Sequence, residues 1–167
     1  MAVKEKLNIS GARIVWPNFS GKATDYNAEG KRNFTVVFDD DQAEQLSNDG
    51  WPIKTREPRE GFEDEGRFNT MKVSIGAYKG DPARDPKIYR ICNGHKVLLT
   101  EKTVGCLDFD DITYIDLRVR PYNWERANKS GTSAYLDVMY VTVADDPFAA
   151  KYETVEDNFT DPEEAPF

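Results

Sequence analysis

Apolar residues recur at every second position through most of the first 144 residues, which is the pattern of half-buried β-strands. The pattern predicts seven strand segments: LNISGARIVW, KRNFTVVF, WPIKTR, FNTMKVSIGAY, KIYRICNGHKVLLT, ITYIDLRVRPY and SAYLDVMYVTV. One short helix is predicted in DDDQAEQLSNDG, where Asp40 or Asp41 can cap its start and Gly50 can end it. Its apolar stripe is limited to Ala43 and Leu46. We therefore expect an all-β domain, most economically a small closed or nearly closed barrel with elaborated loops.

The charge of the chain is unevenly distributed. The chain has 167 residues and a net charge of −8, of which −7 lies in residues 145–167, where eight acids accompany one lysine. The first 144 residues therefore carry −1, so their basic residues are free to cluster on one face. The alternating pattern ends after Ala144, and the last 23 residues are acidic and poor in β-branched side chains. We expect one domain over residues 1–144 and an acidic, largely disordered tail over residues 145–167.

The sequence also indicates where the protein resides. Its first ten residues, MAVKEKLNIS, lack the apolar segment of a signal peptide, and no apolar run approaches membrane-spanning length. Two cysteines are too few for a disulfide framework. We expect a cytosolic protein that does not associate with membranes.

One predicted strand, ITYIDLRVRPY, has a chemically distinctive face. One side of it is mostly apolar, and the other carries two arginines flanked by tyrosines: Tyr114, Asp116, Arg118, Arg120 and Tyr122. Trp124 continues that side into a predicted loop, NWERANKSG, which adds Arg126 and Lys129. A solvated sheet face carrying amphipathic residues is the alternative interpretation.

Basic and aromatic residues also share the solvent side elsewhere. In FNTMKVSIGAY, Lys72 and Tyr78 lie opposite the apolar row that contains Met71 and Val73. A long loop is predicted over VWPNFSGKATDYNAEGKRNF, where aromatic residues again alternate with bases, among them Trp16, Lys31 and Arg32. Trp16 fits the core as well as the surface, whereas the alternation of Phe34 with Val36 and Phe38 favours its burial.

This mixture suits single-stranded nucleic acid. Aromatic side chains stack on any base, and basic side chains along a groove contact the phosphates. Readers of duplex DNA instead present a helix or a ribbon to a groove, and the one predicted helix here is short and acidic. The pattern favours single strands bound without strong sequence preference, and RNA stays open as a second ligand.

Two other functions use different residues. DFDD, with Asp108, Asp110 and Asp111, could hold Mg²⁺ in a nuclease, although acids before a strand are usually turn and cap residues. Cys92, His95 and Cys106 form an incomplete zinc set, so no metal, no cofactor and no catalytic site is expected. An acidic protein-interaction module that mimics DNA is the other alternative, but it requires acids on the folded surface rather than in a tail.

Three segments together resemble the single-stranded DNA-binding proteins of tailed bacteriophages. They are KRNFTVVFDDDQAEQLSNDGWPIK, DLRVRPYNWERANKSGTSAYLDVMYVTV and the acidic end PEEAPF, about a third of the chain. The resemblance implies an OB-fold, and a protein that coats single-stranded DNA during phage replication, recombination and repair in the cytoplasm of the infected bacterium. One departure is visible, because the helix falls between early strands, whereas the simplest OB-fold has it between strands 3 and 4.

The resemblance also assigns candidate site residues. It implies that DNA lies along the sheet face and its flanking loops, on Trp16, Lys31, Arg32, Lys72, Tyr78, Arg118, Arg120, Tyr122, Trp124, Arg126 and Lys129. It implies further that the tail recruits replication or recombination proteins through Glu163, Glu164, Pro166 and Phe167, with the Phe167 ring in a pocket and its carboxylate beside a base. Whether the protein forms homo-oligomers is left open.

Overall fold

The computed structural model of the protein describes residue 3 and residues 5–25, 27–58, 60–61, 66–81 and 83–148. Within these ranges the chain is mostly β, as predicted. The elements are β1 (Leu7–Ile9), β2 (Arg13–Asn18), β3 (Arg32–Phe38), α1 (Asp40–Asp49), β4 (Lys54–Arg56), β5 (Phe68–Ile75), β6 (Lys87–Cys92), β7 (His95–Leu98), a 3-10 helix (Val104–Asp108), β8 (Ile112–Arg126) and β9 (Lys129–Val143). No helix of the described ranges is long and apolar enough to cross a membrane.

The sheet curls into a partly open barrel. Six strands form one hydrogen-bonded path in the order β1-β8-β9-β5-β3-β2, and all neighbours are antiparallel except β5 and β9. β1 and β2 lie in one stretch, residues 7–18, which pairs with β8 through its first part and with β3 through its second. Both ends of the path belong to this stretch, so the path closes on itself. With β1 and β2 counted as one strand, the sheet forms a five-stranded barrel of the OB type. The predicted OB-like fold is confirmed.

The barrel interior is built from the apolar rows that the sequence predicted. On β5, Met71, Val73 and Ile75 are buried, and on β3 the side chain of Phe34 is fully buried, as expected. Val119 and Val141 fill the same interior from β8 and β9. Since side chains alternate across a strand, this burial directs the opposite rows of β3, β5, β8 and β9 to the outer side of the barrel, where Thr35 and Thr70 are themselves covered.

The N-cap of helix α1 lies one residue before the first of the two predicted cap residues. Asp39, rather than Asp40 or Asp41, is the N-cap: its carboxylate accepts a hydrogen bond from the Gln42 amide at 2.7 Å. The Gln42 side chain accepts one from the Asp39 amide, which completes a capping box. Gly50 ends the helix in the left-handed conformation, φ 103°, as predicted.

The connections of the barrel differ from the simplest OB-fold in the way the sequence indicated. α1 connects the second and third barrel strands, β3 and β5, by way of the short strand β4. The β6–β7 hairpin and the 3-10 helix then occupy the connection between the third and fourth barrel strands, β5 and β8. β6 also pairs in parallel with the second half of β9, so that it extends the sheet sideways.

Residues 123–131, predicted to form a loop, instead belong to a long hairpin. β8 runs to Arg126, β9 starts at Lys129, and only Ala127 and Asn128 form the turn, both with positive φ (47° and 68°). Two left-handed residues are the requirement of a tight turn whose twist matches the strands. The prediction was wrong because this arm extends beyond the core, where neither side of the strands needs an apolar row.

Candidate nucleic-acid interface

A basic groove lies on the outer face of the barrel, between β4, β5 and the start of β9. It measures about 340 Å³ and is lined by Thr35, Pro52, Lys54, Arg56, Thr70, Lys72, Ser74, Thr132, Ser133 and Ala134. Its charged lining residues are all cations: Lys54, Arg56 and the exposed Lys72. The other polar side chains are hydroxyls: those of Thr35 and Thr70 are buried, whereas Ser74, Thr132 and Ser133 are partly exposed and can donate to or accept from a ligand. The groove therefore suits a polyanion that also presents hydrogen-bonding groups.

A second groove continues from the first along the β8–β9 hairpin. It measures about 460 Å³, and its lining consists of Gly50, Asn123, Trp124, Glu125, Ser130, Gly131 and Thr132, the last of which it shares with the basic groove. Trp124 is half-buried and pairs with Gly131 across the hairpin. A Cβ atom at Gly131 would stand 2.6 Å from Cζ2 of Trp124, so the indole packs directly on the glycine backbone. Glycine thus holds the tryptophan in the wall of this groove.

The predicted row on β8 faces outward beside these grooves. Arg120 lies with its guanidinium carbon 5.4 Å from the ring centre of Tyr135, its register partner on β9. Tyr122, about half exposed, meets the same ring edge-on at 5.8 Å. Arg118 is further away, donating to Asn8 at 2.8 Å and approaching Asp137 at 4.0 Å. Tyr135 therefore connects the β8 row with Ser74, which it opposes on β5.

Trp16 is a surface residue next to Arg56 of the basic groove. Its backbone has φ 52°, in a register break of β2, and its side chain is 55% exposed. The ring lies 6.0 Å from Phe68 and 5.2 Å from the guanidinium carbon of Arg56. Arg56 also lines the groove and donates to Thr70 at 3.3 Å. An exposed indole stacked by a groove arginine is available to a planar ligand.

Arg32 and Tyr78 brace the barrel rather than face the grooves. Arg32 donates from Nε to the carbonyl of Phe19 at 3.0 Å and lies 5.7 Å from the Tyr78 ring centre. Tyr78 follows the end of β5 at Ile75, so the alternation of the strand does not set its direction, contrary to the predicted strand. Its ring packs against the core, and its buried hydroxyl finds no hydrogen-bond partner among the described residues. Burial raises the pKa of Tyr78, against an opposing effect of Arg32.

The remaining predicted bases are exposed at the edges of the site. Lys31 ends the loop before β3, and Arg126 and Lys129 flank the hairpin turn as register partners. These three lysine and arginine side chains are accessible to phosphate but line neither groove. The predicted tail residues Glu163, Glu164, Pro166 and Phe167 lie outside the described residues.

Sequence reasoning missed Lys54, Arg56 and Tyr135. The first two alternate with Thr55 on β4, which pairs with the outer row of β5, and this i, i+2 spacing in WPIKTR was a usable signal. Tyr135 alternates with the buried Ala134 and Leu136 in SAYLDV. Both patterns were visible, but which faces the barrel brings together was not.

The acids of the alternative nuclease site have structural partners. Asp110 forms a bidentate ion pair with Arg90, whose Nε and Nη2 donate to the two carboxylate oxygens at 2.8 and 3.1 Å. This hydrogen bonding raises the pKa of Arg90. Asp108 accepts hydrogen bonds from the amides of Phe19 and Ser20 and from the Ser20 hydroxyl. Among the described residues, no group of three or more His, Cys, Asp or Glu side chains could hold a metal ion. Cys92, His95 and Cys106 therefore do not form such a group either.

Solved structures with a similar fold come from bacteriophage Enc34. The single-stranded DNA-binding protein of that phage matches with a TM-score of 0.50, 13% identity and coverage of 86% of this chain and 83% of the other. The structure of its C-terminal truncation matches with a TM-score of 0.51 and 13% identity, over 86% of this chain and 88% of the other. The structure of its complex with ssDNA matches with a TM-score of 0.49 and 14% identity, over 86% of this chain and 89% of the other. The first two likenesses support the fold.

The family of this chain is identified by comparing its sequence with models of protein families. No curated protein matches the chain. The model of the phage ssDNA-binding domain family matches residues 1–163, which is nearly the whole chain. This chain therefore belongs to the phage ssDNA-binding domain family.

Proposed function

We propose that this protein binds single-stranded DNA without sequence preference, in the two joined grooves and on the β8 row beside them. One observation carries the proposal: Lys54, Arg56 and Lys72 line a groove that has the exposed Trp16 beside Arg56 and that joins a second groove whose wall contains the half-buried Trp124. Membership of the phage ssDNA-binding domain family supports this choice of ligand.

The geometry favours a single strand over a duplex. Splayed bases stack on exposed aromatic rings, worth about 1–3 kcal/mol per base, while the phosphates follow the cations. Duplex recognition requires an element that enters a groove of DNA, and α1 carries acids in its first turn and no base in its last. Stacking and phosphate contacts do not depend on base identity, and they leave RNA as a weaker or equal alternative ligand.

Charge reversal in the basic groove tests this proposal. Lys72→Glu and Lys54→Glu are each expected to weaken binding of a fluorescent thymidine oligonucleotide at least tenfold at low salt, since each puts a carboxylate where a phosphate is to lie. Lys102→Glu is the matched control, because Lys102 is exposed in the turn before the 3-10 helix and lines neither groove. Equal effects of all three substitutions would show that only net charge matters and would contradict the proposed groove.

We further propose that the protein protects and organises single-stranded DNA during phage replication, recombination and repair, in the cytoplasm of the infected bacterium, as a binding protein rather than an enzyme. The tail, residues 145–167, is proposed to recruit partner enzymes: Pro166 limits the conformations lost on binding, and the acids attract basic partner surfaces. Removal of residues 157–167 should abolish recruitment of replication proteins in a pull-down and keep or tighten DNA affinity at low salt. Unchanged recruitment would refute this role of the tail.

The DNA-mimic alternative makes an opposite prediction. Seven of the eight net negative charges lie in residues 145–167, whereas the basic groove is lined by three cations. A mimic would not bind oligonucleotides at all, so a gel shift separates the two functions.

A further inference from the structure

A second aromatic and basic cluster lies on β6, β7 and β9, away from both grooves. Tyr89 and Tyr140, which are register partners, stack with ring centres 5.1 Å apart and planes 10° from parallel. Lys96 of β7 lies over both rings, with Nζ at 5.0 Å from the centre of Tyr89 and 6.0 Å from that of Tyr140. We call these three residues the tyrosine platform. The platform faces solvent: Tyr140 is 37% exposed, and every residue of β7 is exposed.

The platform and the grooves lie on one continuous outer surface, because β9 runs through both. The first half of β9 carries Ser133 and Tyr135 beside β5, and its second half carries Tyr140 beside β6. A register shift between β8 and β9 at Arg118 and Val119 resets the alternation, so the outer row continues past it while Met139 and Val141 stay buried. At about 3.3 Å per residue, Tyr135 and Tyr140 are on the order of 16 Å apart along the strand. This span corresponds to a few nucleotides of extended single strand.

Cations accompany this outer row at each step. Arg120 opposes Tyr135, then Arg118 and Lys87 flank Val138 from the two neighbouring strands, and Lys96 covers the platform. The two acids near the path already have partners. Asp137 is paired with Lys6 at 3.1 Å, and Asp116 accepts from the Gly11 amide at 3.0 Å. A chain of phosphates that passes from the grooves to the platform therefore meets neither Asp137 nor Asp116 as an unpaired carboxylate.

We infer that the tyrosine platform is a further binding site for single-stranded nucleic acid, where a strand leaving the grooves stacks a base on Tyr140 or Tyr89 and places a phosphate at Lys96. This inference rests on the proposed function, and it makes the occluded length longer than the two grooves alone would give. Stacked aromatic rings with an adjacent cation are the elements that single-strand binders use. Continuity with the groove through β9 favours nucleic acid over a second protein copy as the occupant.

Oligonucleotide length distinguishes the platform from the grooves. The experiment measures the affinity of the full chain for thymidine oligonucleotides of increasing length, from about 6 to about 25 nucleotides, within the range of site sizes of OB-folds and beyond it. For Tyr140→Leu and Lys96→Ala, we expect unchanged affinity for the shortest oligonucleotides and a three- to tenfold loss for the longest. Lys96→Ala should also reduce the slope of log affinity against log salt by about 0.7 for long oligonucleotides only.

Val97→Ala provides the matched control. Val97 is the exposed neighbour of Lys96 on β7 and points to the opposite side of the strand, so its truncation should leave affinity unchanged at every length. Equal affinities of the wild-type protein and both platform variants at every length would overturn the inference, as would an equal loss at every length. A change of sedimentation without length-dependent loss would overturn it in favour of contact between protein copies. Absence of binding by the wild-type protein at any length would instead refute the proposed function itself.

Discussion

At the scale of single residues, Gly131 has an assignable role in the interface. The missing side chain makes room for the Trp124 indole, and a Cβ there would approach two ring atoms to 2.6 and 2.9 Å. We expect Gly131→Ala to displace the ring and weaken oligonucleotide binding about fivefold or more, within the range of a lost base stack. Gly76→Ala is the control, because its Cβ would meet nothing within 4 Å. Fluorescence anisotropy compares the two, and a full-affinity Gly131→Ala protein would show that the position of Trp124 does not matter.

Tyr78 supports a prediction about stability. Its hydroxyl is buried without a partner among the described residues, so Tyr78→Phe removes an uncompensated polar group, and the free energy of unfolding should stay equal or rise by about 1 kcal/mol. The raised pKa of Tyr78 means that the folded state favours the neutral phenol. The contribution of the neutral phenol to the free energy of unfolding is fully present below pH about 10, the ordinary pKa of tyrosine. It is lost as the pH rises through the pKa of Tyr78 in the folded state.

Denaturant unfolding at pH 7 and at pH 10.5–11.5 checks both parts. The wild-type protein should lose stability in the alkaline range by more than Tyr78→Phe does. A destabilised Tyr78→Phe protein at pH 7 would indicate that the hydroxyl has a partner in solution. An unchanged DNA affinity of the variant is expected in addition, since Tyr78 lines neither groove.

Residue by residue, the candidate site was only partly predictable. Arg118, Arg120 and Tyr122 were placed on the outer side of β8, because the apolar row opposite them leaves one choice of face. Trp16 could not be assigned from alternation, since its left-handed backbone in a register break turns it out of the pattern of β2. Arg32 was predicted to contact DNA, but its guanidinium donates a hydrogen bond to the carbonyl of Phe19. Local sequence does not contain that long-range contact.

At the scale of elements, one carboxylate attaches the first long loop to the barrel. Asp108, at the end of the 3-10 helix, accepts from the amides of Phe19 and Ser20 at 2.8 and 2.9 Å, where that loop leaves β2. Asp108→Ala removes a charged acceptor from the amide of the buried Phe19 and from the exposed Ser20, whose donors water can reach, so we expect a loss of about 1–3 kcal/mol in the free energy of unfolding. Asp111→Ala, three residues further at an exposed position, should change it by less than about 0.5 kcal/mol. Similar values for both variants in urea unfolding would contradict this role of Asp108.

Elements with one buried face were predictable, and elements without one were not. The strands of the barrel and the helix α1 followed from alternation, capping residues and Gly50, although the cap was assigned one residue too late. The hairpin arm over residues 123–131 looked like a loop because it is polar on both sides. Its pairing is instead set by the tight turn at Ala127 and Asn128 and by the continuation of the barrel strands.

At the scale of the whole molecule, an acidic protein presents a basic groove. The net charge of −8 is concentrated in residues 145–167, so the body is close to neutral and its groove cations determine the local field. The parallel pairing of β5 with β9 brings Lys72 of β5 beside the hairpin that carries Trp124. Composition predicted this separation of charge, but only the barrel topology places Lys54, Lys72 and Trp124 along one surface.

The most direct test of the central claim is a titration of intrinsic tryptophan fluorescence with a thymidine oligonucleotide at several salt concentrations. Trp51 is buried in the core, so any quenching should come from Trp16 and Trp124. The predicted result is saturating quenching, reduced in Trp124→Phe, with log affinity falling against log salt by about 0.7 per phosphate contacted. Absence of quenching and of any gel shift at low salt, in the full-length and the tail-truncated protein alike, would contradict the claim that these grooves bind single-stranded DNA.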